Sequence, residues 1–257
     1  MGEFRFKKFS VANEKGALKV NTDGVLLGVC CSVAGTSDGE VSVLDIGTGT
    51  GVVALLMCQR LEGKGVKNFD VTGVEIDPLS YEEASGNFLS SPWKGHLRAL
   101  NCSFERVDGL FTHILCNPPY FLSALPNPDS RKATARHSVL PEVDGKGTQA
   151  STLNWKSALY YSRSHLVEGG IFSVILPYGE VESLEREARM AGLPPFRKVL
   201  VRTVVRKPWS RAIVEMTLSP LPIPEKDIEV SELTIQGGGA YTQEYNDLMR
   251  DFYLWAK

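Results

Sequence analysis

Residues 45–51 read Asp45-Ile46-Gly47-Thr48-Gly49-Thr50-Gly51 and decide the fold, because they join an apolar run to a helical pattern through closely spaced glycines. The run at 41–46, Val-Ser-Val-Leu-Asp-Ile, is typical of a buried strand. Residues 51–61 favour a helix. Glycines between the two let the backbone turn tightly and approach a ligand without Cβ clashes. The stretch therefore predicts a strand–turn–helix unit of an α/β protein.

Strand and helix patterns alternate along the rest of the chain. Strands are predicted at 69–76, within 97–107, at 112–116 and at 171–176, and helices at 78–89, 152–166 and 180–191. This alternation implies a mostly parallel, Rossmann-like sheet with helices on both faces. Residues 198–205 and 212–218 predict an antiparallel pair that closes the sheet, and 241–255 a final helix. No repeat or domain boundary is recognisable, so one domain is expected over 1–257.

Composition describes an ordinary globular protein: 43% of the 257 residues are hydrophobic, 23% are charged and the net charge is −2. Such a chain has no global attraction to nucleic acid, so RNA binding would need local basic patches. The five cysteines lack C-x-x-C spacing, which favours reduced thiols in a cytoplasmic protein over disulfides or a metal site. Without a signal segment or bilayer-length apolar run, no membrane partner is expected, and a monomer is favoured.

Acidic residues beside the turn constrain its ligand. The glycines follow a Gly-x-Gly-x-Gly pattern at Gly47, Gly49 and Gly51. This spacing differs from the Gly-x-Gly-x-x-Gly dinucleotide fingerprint, and Asp45 disfavours a pyrophosphate but suits a cationic ammonium group. Glu75, which ends the second strand, can bind two vicinal ribose hydroxyls, while Asp77 is expected to cap the next helix. S-adenosyl-L-methionine satisfies both carboxylates; the alternative is a structural glycine turn beside a solvated acid.

The run Asn117-Pro118-Pro119-Tyr120 follows the strand predicted at 112–116. Two consecutive prolines remove two backbone donors and fix two φ angles, so the run predicts a rigid, extended exit from the strand. Ligands of open α/β sheets bind at that edge. An amide oxygen, a neighbouring carbonyl and a flat ring suit a planar substrate that carries an amino group. The alternative is a proline-stiffened turn whose tyrosine packs on the core.

These motifs together resemble the class I S-adenosylmethionine-dependent methyltransferases, and residues 117–120 resemble the amino-methyltransferase signature. More closely, the chain is similar to the bacterial family that methylates the exocyclic amine of adenosine 37 in a valine tRNA. The matching stretches are 6–9, 18–28, 91–93, 116–121, 135–137, 241–245 and 251–254. The stretch 19–28 is specific, whereas the glycine turn alone is generic. The resemblance implies one catalytic domain with a seven-stranded sheet and an antiparallel terminal strand.

The predicted chemistry must activate a poor nucleophile, because the lone pair of adenine's exocyclic amine is delocalised into the ring. The resemblance implies that the Asn117 side-chain oxygen and the Pro118 carbonyl accept the two amine hydrogens, and that Asn117 also contacts the cofactor. Tyr120 would stack on the base and hold it in line with the methyl group, with Pro119 and Phe121 completing the base site. No strong general base is required. The target nucleotide must be unstacked or flipped to reach such a pocket.

The resemblance assigns roles to two further segments. Residues 1–40 would cover the cofactor, with Thr22 and Asp23 near its methionine portion; one of these two is also expected to cap a helix from Val25 onward. Residues 122–147 would form a long substrate loop in which Arg136 and His137 clamp the RNA. No other histidine or cysteine is spaced to make His137 a metal ligand, so no metal is expected.

The chain departs from the family pattern at two places. Thr112 stands where an aspartate commonly follows the phenylalanine in this fold. Around residues 103–108 the usual acidic contact to the cofactor's adenine is not obvious. The alternatives there are a displaced Asp108, backbone amides, or Phe104.

Three basic groups are candidates for RNA contact, although a charge run is often only a solvated surface. They are Lys7, Lys8, Lys15 and Lys19; Arg131, Lys132, Arg136, His137 and Lys146; and Lys198, Arg202, Arg206, Lys207 and Arg211 with Trp209 between them. The function that fits is a tRNA adenine methyltransferase. Its alternatives are a methyltransferase for a release-factor glutamine or an rRNA guanine, and a catalytically silent RNA-binding module of the same fold. The glycine spacing and Asp45 argue against a nicotinamide oxidoreductase.

Overall fold

The computed structural model of the chain describes residues 2–16, 19–33, 40–119, 153–219, 224 and 227–256. Its strands are β1 (Glu3–Arg5), β2 (Ser10–Ala12), β3 (Val41–Ile46), β4 (Phe69–Glu75), β5 (Leu97–Asn101), β6 (Phe111–Cys116), β7 (Leu166–Pro177), β8 (Pro195–Val204), β9 (Arg211–Thr217), β10 (Glu229–Gly237) and β11 (Ala240–Tyr241). β1 and β2 form a hairpin. The others form a nine-stranded sheet in the order β11-β10-β8-β9-β7-β6-β3-β4-β5.

The sheet is mostly parallel, as the alternating pattern predicts. β9 runs antiparallel to both of its neighbours, and β11 runs antiparallel to β10. The predicted antiparallel pair at 198–205 and 212–218 is therefore confirmed as β8 and β9. The expected count of seven strands is wrong for the whole sheet, because β10 and β11 extend it beyond β8. The sequence did not predict β10, because polar and apolar residues alternate little along it and most of its residues are polar or exposed.

Helices cover both faces of the sheet. They are α1 (Thr22–Cys30), α2 (Val52–Gly63), α3 (Pro78–Ser90), α4 (Trp155–His165), α5 (Val181–Met190) and α6 (Gln243–Met249). Val43 of β3 packs in the core that contains α1 and α2, whereas Leu44 packs in the core that contains α4 and α5. Burial on both faces explains the nearly continuous apolar strands. Among the described helices, none is long and apolar enough to cross a membrane.

The last predicted helix, at 241–255, is shorter in the structure, where α6 spans Gln243–Met249. The residues after α6 instead return to the N-terminal hairpin. Tyr253 forms an isolated antiparallel bridge with Phe6, and their rings stack with centroids 5.5 Å apart. This contact joins the two ends of the described chain on the α1 side of the sheet.

The segment before α1 is attached to α3 by a buried carboxylate. Glu83 accepts hydrogen bonds from three successive backbone N–H groups, those of Glu14, Lys15 and Gly16. Asn87, one turn further along α3, bonds both the N–H and the carbonyl of Ala12. Side chains of one helix therefore satisfy the backbone of the segment that leads toward α1.

The turn between β3 and α2 leaves no room for a side chain at Gly51. This residue has φ of 82° and precedes the first residue of α2. A Cβ atom added there would overlap the ring of Phe88 on α3. Gly65 has a similar φ of 77° but has no atom within 4 Å of an added Cβ.

We expect Gly51→Ala to lower the free energy of unfolding by about 2 to 4 kcal/mol, because it adds overpacking to left-handed strain. The control Gly65→Ala carries only the strain and should cost about 1 kcal/mol. Urea denaturation followed by circular dichroism measures both variants. Equal losses in the two variants would show that the Phe88 contact does not constrain the turn.

Candidate functional site

The glycine turn forms the floor of the candidate site. Gly47, Gly49 and Gly51 have φ angles of 68°, 56° and 82°, which glycine adopts without Cβ strain. The N–H groups of Gly47 and Thr48 donate to the Val74 carbonyl of β4 at 2.9 and 3.0 Å. Among the described residues, the atom nearest to a Cβ added at Gly49 is the Gly47 carbonyl oxygen at 4.0 Å, which leaves space beside Gly49. The turn is thus attached to the sheet and leaves room for a ligand.

Asp45 lies beneath this turn with only 1% of its surface exposed. The Thr48 hydroxyl donates to its carboxylate at 2.6 Å. Burial raises the pKa of Asp45 to about 7 and the nearby Glu75 carboxylate acts in the same direction, although hydrogen bonds from Thr48 and Ala54 oppose both. A cation bound nearby would draw Asp45 into its ionised form.

Glu75 ends β4 and closes the other side of the turn. One carboxylate oxygen accepts the Gly49 N–H and the other accepts the Asp77 N–H, each at 3.0 Å. Burial raises the pKa of Glu75, against the effect of these hydrogen bonds. A backbone hydrogen bond from Ile76 acts in the same way, so the carboxylate keeps acceptor capacity for at least one further donor, such as a hydroxyl. Asp77 caps α3 by accepting the Ser80 N–H at 2.9 Å, which confirms the predicted cap.

Asn117 and Pro118 leave the sheet beside the glycine turn. In the parallel pairing of β3 with β6, Ile46 lies opposite Cys116, so Gly47 and Asn117 are the next residues on neighbouring strands. Neighbouring strands are about 4.8 Å apart. Pro118 is buried, whereas Asn117 and Pro119 are half-buried. The sheet edge therefore brings the amide side chain within reach of the turn.

The start of α1 lies against this edge. The cap of α1 is Asn21, whose side chain accepts the Gly24 N–H at 2.8 Å. The expectation that Thr22 or Asp23 caps the helix is wrong, since α1 already begins at Thr22 and the capping oxygen lies three residues before the N–H it accepts. A Cβ on Gly24 would lie 3.5 Å from the Asn117 amide nitrogen. Thr22 and Asp23 are therefore in the first turn of a helix that contacts Asn117.

Strand β9 holds α1 at both ends. Arg211 donates to the Asp23 carboxylate at 2.9 Å, and the fully buried Glu215 accepts the Ser32 N–H at 2.6 Å. Four strand residues and nine helix residues each span about 13 Å, so the two spacings match. Glu215 also accepts hydrogen bonds from Ser173 and from Arg197, which satisfy its buried charge.

Arg211 is a positioning residue that the sequence did not identify as such. The predicted third basic group contains it, yet its guanidinium is paired with Asp23. Lys198 pairs with Glu185 at 2.7 Å, and Arg202 lies 4.2 Å over the Trp209 ring. Sequence proximity suggested one cationic surface, but Arg211 lies opposite Val201 in the sheet and so on the other face from Lys198 and Arg202.

Two cations of that group keep the exposure that an RNA surface needs. Arg206 and Lys207 lie in the turn between β8 and β9 and are exposed, and within the described chain neither forms an ion pair. In the first basic group, Lys8 pairs with Glu62 and Lys15 with Glu82. Lys7 donates to the carbonyls of Arg250 and Ala256, so it holds the C-terminal segment.

The edge expected to contact adenine is only partly open. Phe104 is buried and its ring meets Tyr161 edge-on, with centroids 5.3 Å apart. Asp108 is exposed. Thr112, in the position usually held by an aspartate, donates to the Ser42 carbonyl at 2.9 Å and thereby links β6 to β3.

Several predicted site residues lie outside the described residues. They are Tyr120, Phe121, Arg136 and His137, with Arg131, Lys132 and Lys146 of the second basic group and the loop predicted at 122–147. Among the residues that the structure describes, no three histidine, cysteine, aspartate or glutamate side chains are grouped to hold a metal ion.

Comparison with known sequences relates this site to a protein family. Residues 34–127 match the model of the methyltransferase small domain. The chain is 33% identical over 256 residues to the tRNA1(Val) (adenine(37)-N6)-methyltransferase of Bacteroides fragilis, covering 98% of this chain and 97% of the relative. It is 34% identical over 253 residues to the protein of the same name from Pedobacter heparinus, with the same coverage of each chain.

Solved structures share the fold at low sequence identity. A protein of Agrobacterium tumefaciens described as a predicted O-methyltransferase aligns with a TM-score of 0.59 and 16% identity, over 92% of this chain and 99% of that one. A Listeria monocytogenes protein assigned to the class I S-adenosylmethionine-dependent methyltransferases aligns with a TM-score of 0.56 and 14% identity, over 82% and 61%. The likeness shows the class I methyltransferase fold.

The raised pKa of Asp45 predicts an unusual dependence of stability on pH. The folded state binds the proton more tightly than the unfolded chain, so the wild type loses stability as the pH rises from about 4 to about 7. Asp45→Asn keeps an oxygen for Thr48 and removes the buried charge. Relative to that of the wild type, the free energy of unfolding of this variant should rise by on the order of 3 kcal/mol between pH 4 and pH 8.

Urea denaturation at a series of pH values measures this difference, with Asp70→Asn, which replaces an exposed carboxylate of β4, as the baseline. A difference between Asp45→Asn and wild type that stays constant over this range would contradict the protonation of Asp45.

Proposed function

The chain belongs to the tRNA1(Val) (adenine(37)-N6)-methyltransferase family, and we propose that it transfers a methyl group from S-adenosyl-L-methionine to the exocyclic amine of adenosine 37 in a valine tRNA. The observation that carries the proposal is the position of Asn117 and Pro118. They leave the sheet one strand from the glycine turn, at the edge that also holds Asp45 and Glu75. With tRNA as its substrate, the protein would act in the cytoplasm.

The residues around the turn fit S-adenosyl-L-methionine. The open space beside Gly49 admits a ligand that a side chain there would exclude. Glu75 would accept ribose hydroxyls at the carboxylate positions that its backbone donors leave open. Asp45, once ionised, would neutralise an ammonium group. Thr22 and Asp23 would lie near the methionine portion, since they directly precede Gly24, whose Cβ position is 3.5 Å from both Asn117 and Val52. When bound, the cofactor supplies an electrophilic methyl group on a sulfonium.

Asn117 and Pro118 would prepare the acceptor nitrogen. The Asn117 side-chain oxygen and the Pro118 carbonyl each accept one amine hydrogen, which favours a tetrahedral nitrogen whose lone pair points away from the ring. The two prolines fix their own φ angles and thereby hold both acceptors in place. Orientation supplies most of the rate, and no strong base is needed, because the amine proton becomes acidic only after the methyl group has been transferred.

The remaining assignments follow from the family and concern the RNA. Tyr120 would stack on the flipped base, and Pro119 and Phe121 would complete the base site. Arg136 and His137, within the substrate loop at 122–147, would clamp the surrounding RNA strand. A base inside a folded RNA reaches a pocket at this sheet edge only when it leaves its stack, which suits a nucleotide beside the anticodon.

We expect Asn117→Ala to lower kcat for methyl transfer at least 100-fold and to leave the Kd for S-adenosyl-L-methionine within about threefold of wild type, because the amide acts mainly on the acceptor nitrogen. Labelled methyl transfer to bulk tRNA, followed by nucleoside analysis, measures the rate and the product. Asn68→Ala is the control, since Asn68 is an exposed asparagine at the opposite end of β4.

The same labelled transfer, repeated with bulk tRNA, a release factor and ribosomal RNA as separate acceptors, decides between the three functions. N6-methyladenosine in a valine tRNA supports the proposal. Methylation of a protein glutamine or of guanine would contradict it in favour of another planar nitrogen. Binding of tRNA and cofactor without transfer by the wild type would leave only the silent RNA-binding module.

Glu75→Gln should weaken S-adenosyl-L-methionine binding by about 10- to 100-fold, because an amide loses one acceptor and places its NH2 group against a backbone N–H. Isothermal titration calorimetry measures the Kd. Glu82→Gln, at an exposed position on α3, controls for the loss of one negative charge. An unchanged Kd in Glu75→Gln would exclude the carboxylate as the ribose contact.

A further inference from the structure

A cleft lined by aromatic side chains opens beside the start of α1. Its volume is about 280 Å3, and its rings are Phe4, Tyr241, Tyr245, Tyr253 and Trp255. Polar atoms enter it from Asn21 and Thr22, the cap and first residue of α1. We call this feature the aromatic cleft. Nothing in the chemistry assigned to Asn117, Asp45 and Glu75 uses it.

The rings of the cleft form a platform that continues into the core. Tyr241 stacks on Trp255 with centroids 4.4 Å apart and planes 15° apart, and Trp255 stacks on Tyr253 at 5.1 Å and 26°. Tyr253 continues the stack onto the buried Phe6 at 9°. The two outer rings remain exposed, at 43% for Tyr241 and 42% for Trp255. Aromatic surface this extensive is costly to leave in water unless it has a ligand.

The aromatic cleft lies close to the candidate active site. Asn21 and Thr22 line the cleft, and Gly24 of the same helix lies against the Asn117 side chain. Three residues of helix rise about 5 Å, so one helical turn separates the cleft from the amide. A strand that places one base at Asn117 has its adjoining nucleotides within reach of the cleft.

Positive charge adjoins the aromatic cleft on its other side. In the sheet, Val204 at the end of β8 lies opposite Gln236 of β10, which lies opposite Tyr241 of β11. Two strand spacings, about 10 Å, therefore separate Tyr241 from the turn that carries Arg206 and Lys207. Those two exposed cations form no ion pair within the described chain and can face phosphates.

We propose that the aromatic cleft holds an unstacked nucleobase of the RNA strand that also presents the target adenine, with Arg206 and Lys207 on the adjoining phosphates. The inference rests on the proposed function and adds a second base site to it. Stacked rings beside a cationic turn are how proteins bind single-stranded RNA, because every base has a π face. Asn21, Thr22 and the tyrosine hydroxyls supply donors and acceptors for a base edge.

The test asks whether removing two rings from the protein and removing one base from the tRNA have the same effect. Full-length valine tRNA is prepared with an abasic site at each nucleotide flanking the target in turn, and methyl transfer is measured with wild type and with Tyr241→Ala/Trp255→Ala. The variant should raise the KM for intact tRNA about tenfold, the order of one base–ring stack, with kcat and the Kd for S-adenosyl-L-methionine unchanged. Tyr160→Ala, which removes a tyrosine 46% exposed on α4, is the matched control.

One abasic position should raise the KM of wild type by a similar factor and should have no further effect on the variant. A Trp255→Phe variant, which keeps a ring, should recover most of the lost affinity. Equal effects of every abasic site in both proteins, or an unchanged KM in the variant, would overturn the inference and favour a protein segment as the occupant. If wild type binds tRNA without methylating it, the proposed function fails. In that case the inference is tested by the Kd for tRNA, which the ring variant and the abasic position should raise by a similar factor without adding to each other. If the wild type does not bind tRNA at all, the proposed function and the inference both fail.

Discussion

The pairing of β3 with β4 on one side and β6 on the other is the constraint on which the candidate site depends. Ile46 lies opposite both Val74 and Cys116, so the glycine turn, Glu75 and Asn117 all follow at the same edge. A slip of one residue would reverse every side chain of a strand. Such a slip would also separate the turn N–H from the Glu75 carboxylate. The packing of apolar side chains on both faces of the sheet therefore determines where the turn N–H groups, the Glu75 carboxylate and the Asn117 amide lie.

The second constraint is the attachment of α1 to β9. Arg211 and Glu215 lie on one face of the strand, and they contact Asp23 in the first turn of the helix and Ser32 beyond its end. Because the strand and helix spans match at about 13 Å, α1 cannot slide along the sheet without breaking one of these contacts. The start of α1 is thereby fixed between two features, the Asn117 amide and the aromatic cleft.

Local patterns predicted the strand–turn–helix order, the glycine turn, the cap of α3 at Asp77 and the antiparallel pair of β8 and β9, because these depend on residues close in sequence. Local patterns were not sufficient at two places, the start of α1 and the strand β10. Asn21 competes with Thr22 and Asp23 as the cap of α1, and all three are good capping residues. In the structure Asn21 is the cap, and the first turn that follows it contacts β9 and Asn117. β10 is a strand because it pairs with β8, since its own sequence has a weak strand pattern.

The sequence by itself determined the class of chemistry. A Gly-x-Gly-x-Gly turn with Asp45 and Glu75 predicts a ligand with an ammonium group and a ribose, and an Asn-Pro-Pro run predicts a planar amine as acceptor, because functional groups at fixed spacing follow from residue identity. Only the tertiary structure decided which charges are available. It pairs Arg211 with the distant Asp23, Lys198 with Glu185 on a neighbouring helix and Arg202 with the Trp209 ring. It also leaves Arg206 and Lys207 exposed and gathers rings from both ends of the chain into one cleft. The reason is physical: pairing and stacking depend on distances in space, which packing of the sheet and helices alone creates.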